Sequence, residues 1–445
     1  MTRFSWKYLA VALLALLTAA CGGGSGSSAP TAIPSSATVF YSHALAFRNA
    51  TTLMSWGYNG FGQLGRGGND FANSSVPVPV VADASGATLL NLKDFATGGV
   101  HSVAFFNNST ARSWGSNTLG QLGNGSTNTS SKFAVPVFES ISTTNTPNRK
   151  LRSVTAVAAG GFHSVALKGD GTVWTWGSNA TKQLGIQDTP TVVAASRLAV
   201  PVFDAVNGTV LTNVRAVAAG GSHTLVLKND GTVWAWGSNA NGQLGKDPKD
   251  LVNPILQSNV PLQVAGLPAG ITAIAAAGSY NLALDPAGNV WAWGYNGFGQ
   301  LGNATTVDSF TPVLVQKAGA TSDAPPVPLG VVIVKIAAGL DHALAIDLNG
   351  NVWAWGFNGL GQLGNSTTIT KKDSATAVQV IAETSTATST PPFTPFTGAE
   401  EIRAFGHSSM VRKGSIWYAW GDNTFGQLGI NNTTNQSFPV KVIGF

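Results

Sequence analysis

The chain has 445 residues, of which only 10% are charged; its formal net charge is +5 and it holds a single cysteine. So sparse a charge makes no field strong enough for nucleic acid, and one cysteine forms no disulfide within the chain, so the fold must stand on packing and strand pairing. Fifty-three glycines, with abundant Ser, Thr and Asn, favour short strands joined by turns over long helices.

Arg3 and Lys7 precede an apolar run from Leu9 to Leu17, and Thr18-Ala19-Ala20-Cys21 follows, the layout of a bacterial secretory signal. The run is too short to span a bilayer. Residues 1–20 are therefore read as a signal peptide. Cys21, placed where a lipoprotein signal peptidase leaves the first residue, is expected to carry lipid. The segment resembles a lipobox, except that Thr18 holds the usual leucine position and Leu17 lies one place further back. The other reading is an ordinary cleaved signal in which Cys21 is incidental. Residues 21–36 then form the lipidated cysteine and a Gly/Ser tether of about 20 Å reach, and Gly22 directs the expectation to an outer membrane or cell surface. Losing Arg3 and Lys7 lowers the formal charge from +5 to +3.

From residue 37 to 445 one phrase recurs seven times, Trp-Gly-x-Asn-x-x-x-Gln-Leu-Gly, beginning at Trp56, Trp114, Trp176, Trp236, Trp293, Trp355 and Trp420. A period of 57 to 65 residues with β-forming flanks predicts an array of blades in one domain. The fourth copy shows the unit. Val214 to Ala219 reads as a buried strand, His223 to Leu227 as a second, Asn229-Asp230-Gly231 as a hairpin turn and Thr232 to Trp236 as a third. Proline-containing stretches such as Val135–Phe138 and Val200–Phe203 supply an outer fourth strand, where a missing N–H does no harm. Trp residues spaced by two leave the strand on one face, and the Trp before each Gly is read as packing between neighbouring blades. Thirteen residues before each of these Trp stand His43, His101, His163, His223, His342 and His407, with Tyr280 in the fifth copy. One per blade is too dispersed for a metal site, so these side chains are expected to bond to backbone where blades meet.

The Gly-x-x-His element followed by Trp-Gly-x-Asn-x-x-Gly-Gln-Leu-Gly resembles the repeats of the regulator of chromosome condensation family, over roughly Ser36 to Phe445. The resemblance implies an all-β fold, a seven-bladed β-propeller. One glycine of the phrase is replaced by Lys182 in the third copy, and a local change of turn is expected there. The chain enters its first copy part-way, at Tyr41-Ser42-His43, and ends on Phe438-Pro439-Val440-Lys441-Val442. This C-terminal strand is expected to complete the first blade, closing the ring by pairing the two ends.

Neither a catalytic grouping nor a phosphate loop emerges, and no cofactor or metal is expected. Function is sought where the copies differ. In the turn after Trp-Gly, Tyr58, Phe61, Tyr295, Phe298, Phe357, Leu360 and Phe425 occupy adjoining blades, while the third and fourth copies are polar there. They form either an exposed aromatic arc that anchors a protein or glycan, or side chains folded down onto the next turn. The insertions Glu139–Ser153, Ile186–Ala199, Lys246–Gln257, Lys317–Leu329 and Ala382–Glu400 are further candidates, the last read as a mobile surface loop bearing Phe393 and Phe396. The reading is a non-enzymatic, monomeric, lipid-anchored interaction propeller on the bacterial envelope, binding no nucleic acid and meeting the membrane through its anchor alone. Two alternatives stand beside it: guanine-nucleotide exchange on a small GTPase, which the family resemblance implies, and a secreted enzyme inhibitor.

Overall fold

The chain divides into two units, Met1–Phe40 and Tyr41–Phe445. The computed structural model describes residues 42–445 apart from 50–51, 69–70, 141–148, 187–192, 205–207, 251, 253, 318–327, 366–371 and 383–393. The signal, Cys21, the tether and Phe393 lie outside the described residues, as do parts of every insertion.

Every regular element among the described residues is a strand, and the strands form seven antiparallel blades. Blade two is built of Leu92–Thr97, His101–Phe106, Ala111–Ser116 and Ser130–Pro136, and blade four of Val214–Ala219, His223–Lys228, Val233–Ser238 and Gln257–Gln263. Blades five, six and seven repeat this order from Ala273, Ile333 and Glu401. Blade three, from Val154, has two extra strands outside its fourth, Phe138–Glu139 and Arg149–Lys150. Buried Glu139 fastens this ribbon, accepting from Lys168 Nζ at 2.7 Å and Arg149 Nε at 2.6 Å.

The first strand of blades two to seven lines a central cavity of about 290 Å3, together with Leu45 of blade one. Alanines such as Ala158, Ala218 and Ala276 line it on blades three, four and five, while Phe95 of blade two and Arg403 and Phe405 of blade seven bring large side chains to the other side. The apolar core falls into seven clusters, one at each boundary between adjacent blades. The Trp before each Gly is fully buried in one of them.

The structure corrects the expected closure. The C-terminal strand, Gln436–Lys441, pairs with Ile416–Gly421 as the outer strand of blade seven. Blade one has a proline strand of its own, Ser74–Pro79, paired with Leu53–Gly57. The alternation Val76-Pro77-Val78-Pro79 suits an outer edge, where proline's missing donor faces no partner. The ring instead closes by contacts of the kind found at the other boundaries. Asn431 N donates to Ser75 O at 2.9 Å, and Trp56 Nε1 to Gln427 O at 2.8 Å.

Phe396 is also corrected, from a mobile loop to the core. Its ring is fully buried and meets Tyr418 edge-on at 5.3 Å, because Phe396 N donates to Val380 O and draws the segment onto blade six.

Candidate functional site

The seven turns after Trp-Gly share one face, since each follows the end of a third strand. The recurrent Asn and Gln hold the turn. Asn59 Oδ1 accepts from Leu64 N at 3.0 Å and Gln63 Oε1 from Phe61 N at 2.9 Å, and the same two bonds recur at Asn296 and Gln300. The Gln carbonyl then faces the next blade, where the buried indole donates to it, as from Trp114 to Gln63 O at 2.9 Å and Trp176 to Gln121 O at 2.8 Å. At the position occupied elsewhere by glycine, Lys182 keeps the turn unchanged. Its φ is 68°, and its N–H donates to Asn179 O at 3.0 Å as Gly120 does to Asn117 O. The expected change of turn does not occur, since the backbone bonds impose the left-handed conformation on a lysine.

Beneath the turns the histidines reach across the blade boundaries to side chains, where bonds to backbone were expected. His43 Nε2 lies 2.7 Å from Ser102 Oγ, His101 2.7 Å from Ser164, His163 3.0 Å from Thr224 Oγ1, His223 2.7 Å from Asn281 Oδ1, and His342 2.9 Å from Ser409. Each partner in turn donates to a Gln carbonyl, Ser164 to Gln121 O at 3.0 Å and Asn281 Nδ2 to Gln243 O at 2.8 Å. Its remaining acceptor therefore faces an Nε2–H, which fixes the tautomer. The buried Nδ1 of each has no hydrogen-bond partner among the described residues, and in His101, His163, His223 and His342 it lies against the glycine three residues earlier. A Cβ on Gly98 would stand 2.7 Å from His101 Nδ1. Burial pushes His43, His101, His163 and His342 down to about 3 and His223 to about 4, so these rings are neutral.

Two boundaries differ, and in each the partner is an alanine. Where blade six has Ala343 opposite its Trp, the preceding blade supplies Tyr280, whose hydroxyl donates to Gly339 O at 3.1 Å and to His342 O. Where blade one has Ala44, blade seven supplies Ser408, which bonds to Asp422 O of its own blade at 2.8 Å. His407 is thus displaced from the series. The second hairpin of blade seven closes from Lys413 to Ile416, one residue tighter than the Lys168-to-Thr172 hairpin of blade three, so Ser408 faces Gly421 where histidine faces glycine elsewhere. The constant spacing of thirteen residues conceals this slip.

The arc residues lie above these couplings, half-buried and stacked. Phe298 of blade five meets Phe357 of blade six at 4.9 Å, and Phe357 meets the displaced His407 at 5.2 Å. Phe425 of blade seven meets Tyr58 of blade one at 5.0 Å, and Tyr58 meets Phe61 at 6.2 Å, the separation also of Tyr295 and Phe298. The rings at 58, 295 and 357 lie over Gly60, Gly297 and Gly359, where a Cβ would collide with them. Copies with Ser at the ring position have Thr118, Ala180 or Ala240 instead. Leu360 is half-buried in the turn of blade six. Neither alternative reading describes the rings fully, since each packs on a neighbour and keeps an exposed edge.

Sequence reasoning passed over Asp341. Its Oδ2 lies 3.3 Å from His407 Nε2 and its Oδ1 3.5 Å from Gln300 Nε2. The available signal was the residue before each histidine-type position, an acid in the sixth copy where others have Val100, Phe162 or Ser222. Among the described residues no group of His, Cys, Asp and Glu could hold a metal.

Seven blades coupled edge to edge by Trp–Gln bonds, and at five boundaries by histidine to a hydroxyl or amide, with their variable side chains gathered on one face, define a repeat β-propeller. The chain belongs to the RCC1 repeat family. Residues 195–444, more than half of it, match the RCC1-like domain, and residues 52–105, 113–167 and 154–183 match the Regulator of chromosome condensation (RCC1) repeat. It is similar to the Ultraviolet-B receptor UVR8 of Arabidopsis thaliana, 30% identical over 72% of this chain and 64% of that one. It is likewise similar to the RCC1 domain-containing protein RUG3, mitochondrial, of the same plant, 28% identical over 88% and 82%. The human E3 ubiquitin-protein ligase HERC2 is 29% identical over 71% of this chain, which spans only 6% of it. The chain thus covers less than two thirds of UVR8 and a small part of HERC2. Among solved structures, human WBSCR16 superposes with a TM-score of 0.68 at 21% identity over 88% of this chain and 94% of that one. Prp20p of Saccharomyces cerevisiae gives 0.64 at 22% over 91% and 87%. At these identities the likeness shows the fold alone.

Proposed function

We propose that this chain is an exported, lipid-anchored binding propeller that holds a partner protein on its aromatic face. The observation that carries the reading is the stacked arc on blades five, six, seven and one. Partly exposed aromatic rings give a binding surface large contact area at small conformational cost, and such rings concentrate binding energy. Prp20p, similar in fold, has binding properties to Gsp1p and histones, which supports a protein partner for a propeller of this kind. The basic start, apolar run and Cys21 of the N-terminus support export and acylation.

The test is partner capture from an envelope extract by the full-length chain in non-ionic detergent, beside a variant with Tyr58, Phe61, Tyr295 and Phe298 all changed to Ala. A protein held by the first and lost by a second that melts like it supports the reading. Equal capture moves the site to the insertions. For the anchor, Cys21→Ser should abolish incorporation of labelled palmitate and release the chain from membranes; unchanged fractionation would remove the lipid.

A further inference from the structure

Several carboxylates elsewhere in this sparsely charged chain have cationic partners. Glu139 sits between Lys168 and Arg149, and Glu401 between Arg403 and Arg412. Around the arc they do not. Asp308 and Asp373 accept from Asn296 N and Asn358 N in the turns of blades five and six, and Asp422 lies in the turn of blade seven. With Asp341 they place four carboxylates along the aromatic face, and among the described residues none of them is ion-paired with a Lys or Arg.

Asp308 and Asp373 are the more exposed of the four, but Asp341 is the one with no side-chain contact shorter than 3.3 Å. Its two side-chain contacts, 3.3 Å to His407 and 3.5 Å to Gln300, are both longer than the roughly 2.7–2.9 Å of a charge-assisted bond. It keeps 20% of its side chain exposed beside the Phe298–Phe357–His407 stack. An acid with no Lys or Arg partner next to aromatic faces is the complement of a planar cation, which forks to the carboxylate while lying on a ring. Lysine would meet the charge but not the plane.

We propose that the arc takes an arginine-bearing apolar segment of a partner protein, its guanidinium on Asp341 and against the ring of Phe298 or Phe357, with its apolar residues along the remaining rings. This rests on the arc being the docking surface, and it names the chemistry of what docks.

The probe is a fluorescein-labelled peptide of Gly-Arg-Leu repeated in tandem, titrated by anisotropy with the full-length chain in non-ionic detergent, beside peptides with Gln or Glu for Arg. The Arg peptide should bind about tenfold more tightly than the Gln peptide. That advantage should shrink as ionic strength rises to about 0.5 M. Asp341→Asn should erase the advantage while Asp341→Glu keeps it, and the Asp341→Glu arm separates lost charge from lost folding. The double variant Phe298→Ala, Phe357→Ala should weaken both peptides. Equal binding of the Arg and Gln peptides, no binding of either, or an advantage that survives Asp341→Asn overturns the arginine. If the four-ring variant still loses a captured protein in that case, the arc stands as a docking surface and only its cation preference falls.

Discussion

Trp56 and Gln427 lie 371 residues apart in the chain, and the indole N–H of the one meets the carbonyl of the other at 2.8 Å. Phe445 covers the same indole edge-on at 5.7 Å. The two ends of the ring are thus fastened by the bond used between blades that adjoin in sequence. Trp56→Phe should cost about 3 kcal/mol, from an unpaired carbonyl and a gap in the core, read as a lower urea midpoint. Deleting residues 436–445 strips the outer strand from blade seven, so limited proteolysis should open blade seven first; first cuts in blade one would contradict the observed pairing.

Tyr280 and Ala343 form a matched pair, as do the histidines and the hydroxyl or amide groups they reach. Tyr280→His alone leaves a buried ring facing an alanine and should destabilise by about 2–3 kcal/mol. Adding Ala343→Ser should recover about 1 kcal/mol or more of that loss, whereas Ala343→Ser alone should crowd the tyrosine and destabilise. A double-mutant cycle by chemical denaturation measures the coupling, and strict additivity would show that the two positions are independent.

Lys182 holds a left-handed backbone that glycine accepts more easily. Lys182→Gly should raise stability by about 1 kcal/mol. The reverse change at Gly242, to Ala, should lower it by more than that, because its Cβ would come within 2.6 Å of Phe310. Thermal denaturation of both variants checks the sign at each site.

Five buried histidines have folded-state values of about 3 to 4, below the ordinary 6.5 they regain on unfolding. The unfolded chain binds the extra protons, so their contribution is fully present above pH 6.5 and is lost as pH falls toward the folded values. Acid unfolding should therefore begin near pH 5 or so, above the carboxylate range, with uptake of about five protons. His101→Gln should reduce that uptake by about one proton, measured by the pH dependence of the urea midpoint. A midpoint flat from pH 7 to 4 would show these rings to be accessible.

The blades were legible because every copy carries a Trp-Gly phrase at the end of a strand, to which four copies add a two-residue Trp spacing and three a turn with Asp-Gly or Asn-Gly. What the sequence did not disclose depends on neighbours across a boundary. The slip at His407 comes from a hairpin one residue shorter, which no count back from Trp420 reveals. Ser74–Pro79 was passed over because the C-terminal proline strand had been assigned to the first blade in its place. Phe396 is core because blade six lies beneath it. Aromatic residues at the arc positions were visible, but Asp341 was not, since its importance lies in what stands beside it in the next blade.

The boundaries are not interchangeable, and that has a consequence for how the ring counts itself. Histidine faces a hydroxyl or amide at five junctions, tyrosine faces alanine at a sixth, and serine faces alanine where the ends meet. A ring missing blade five or seven would set an imidazole against a methyl group, and one missing blade six a phenol against a hydroxyl, buried and without remedy. Blades five, six and seven therefore cannot be left out without such a mismatch, which keeps the arc's four blades side by side.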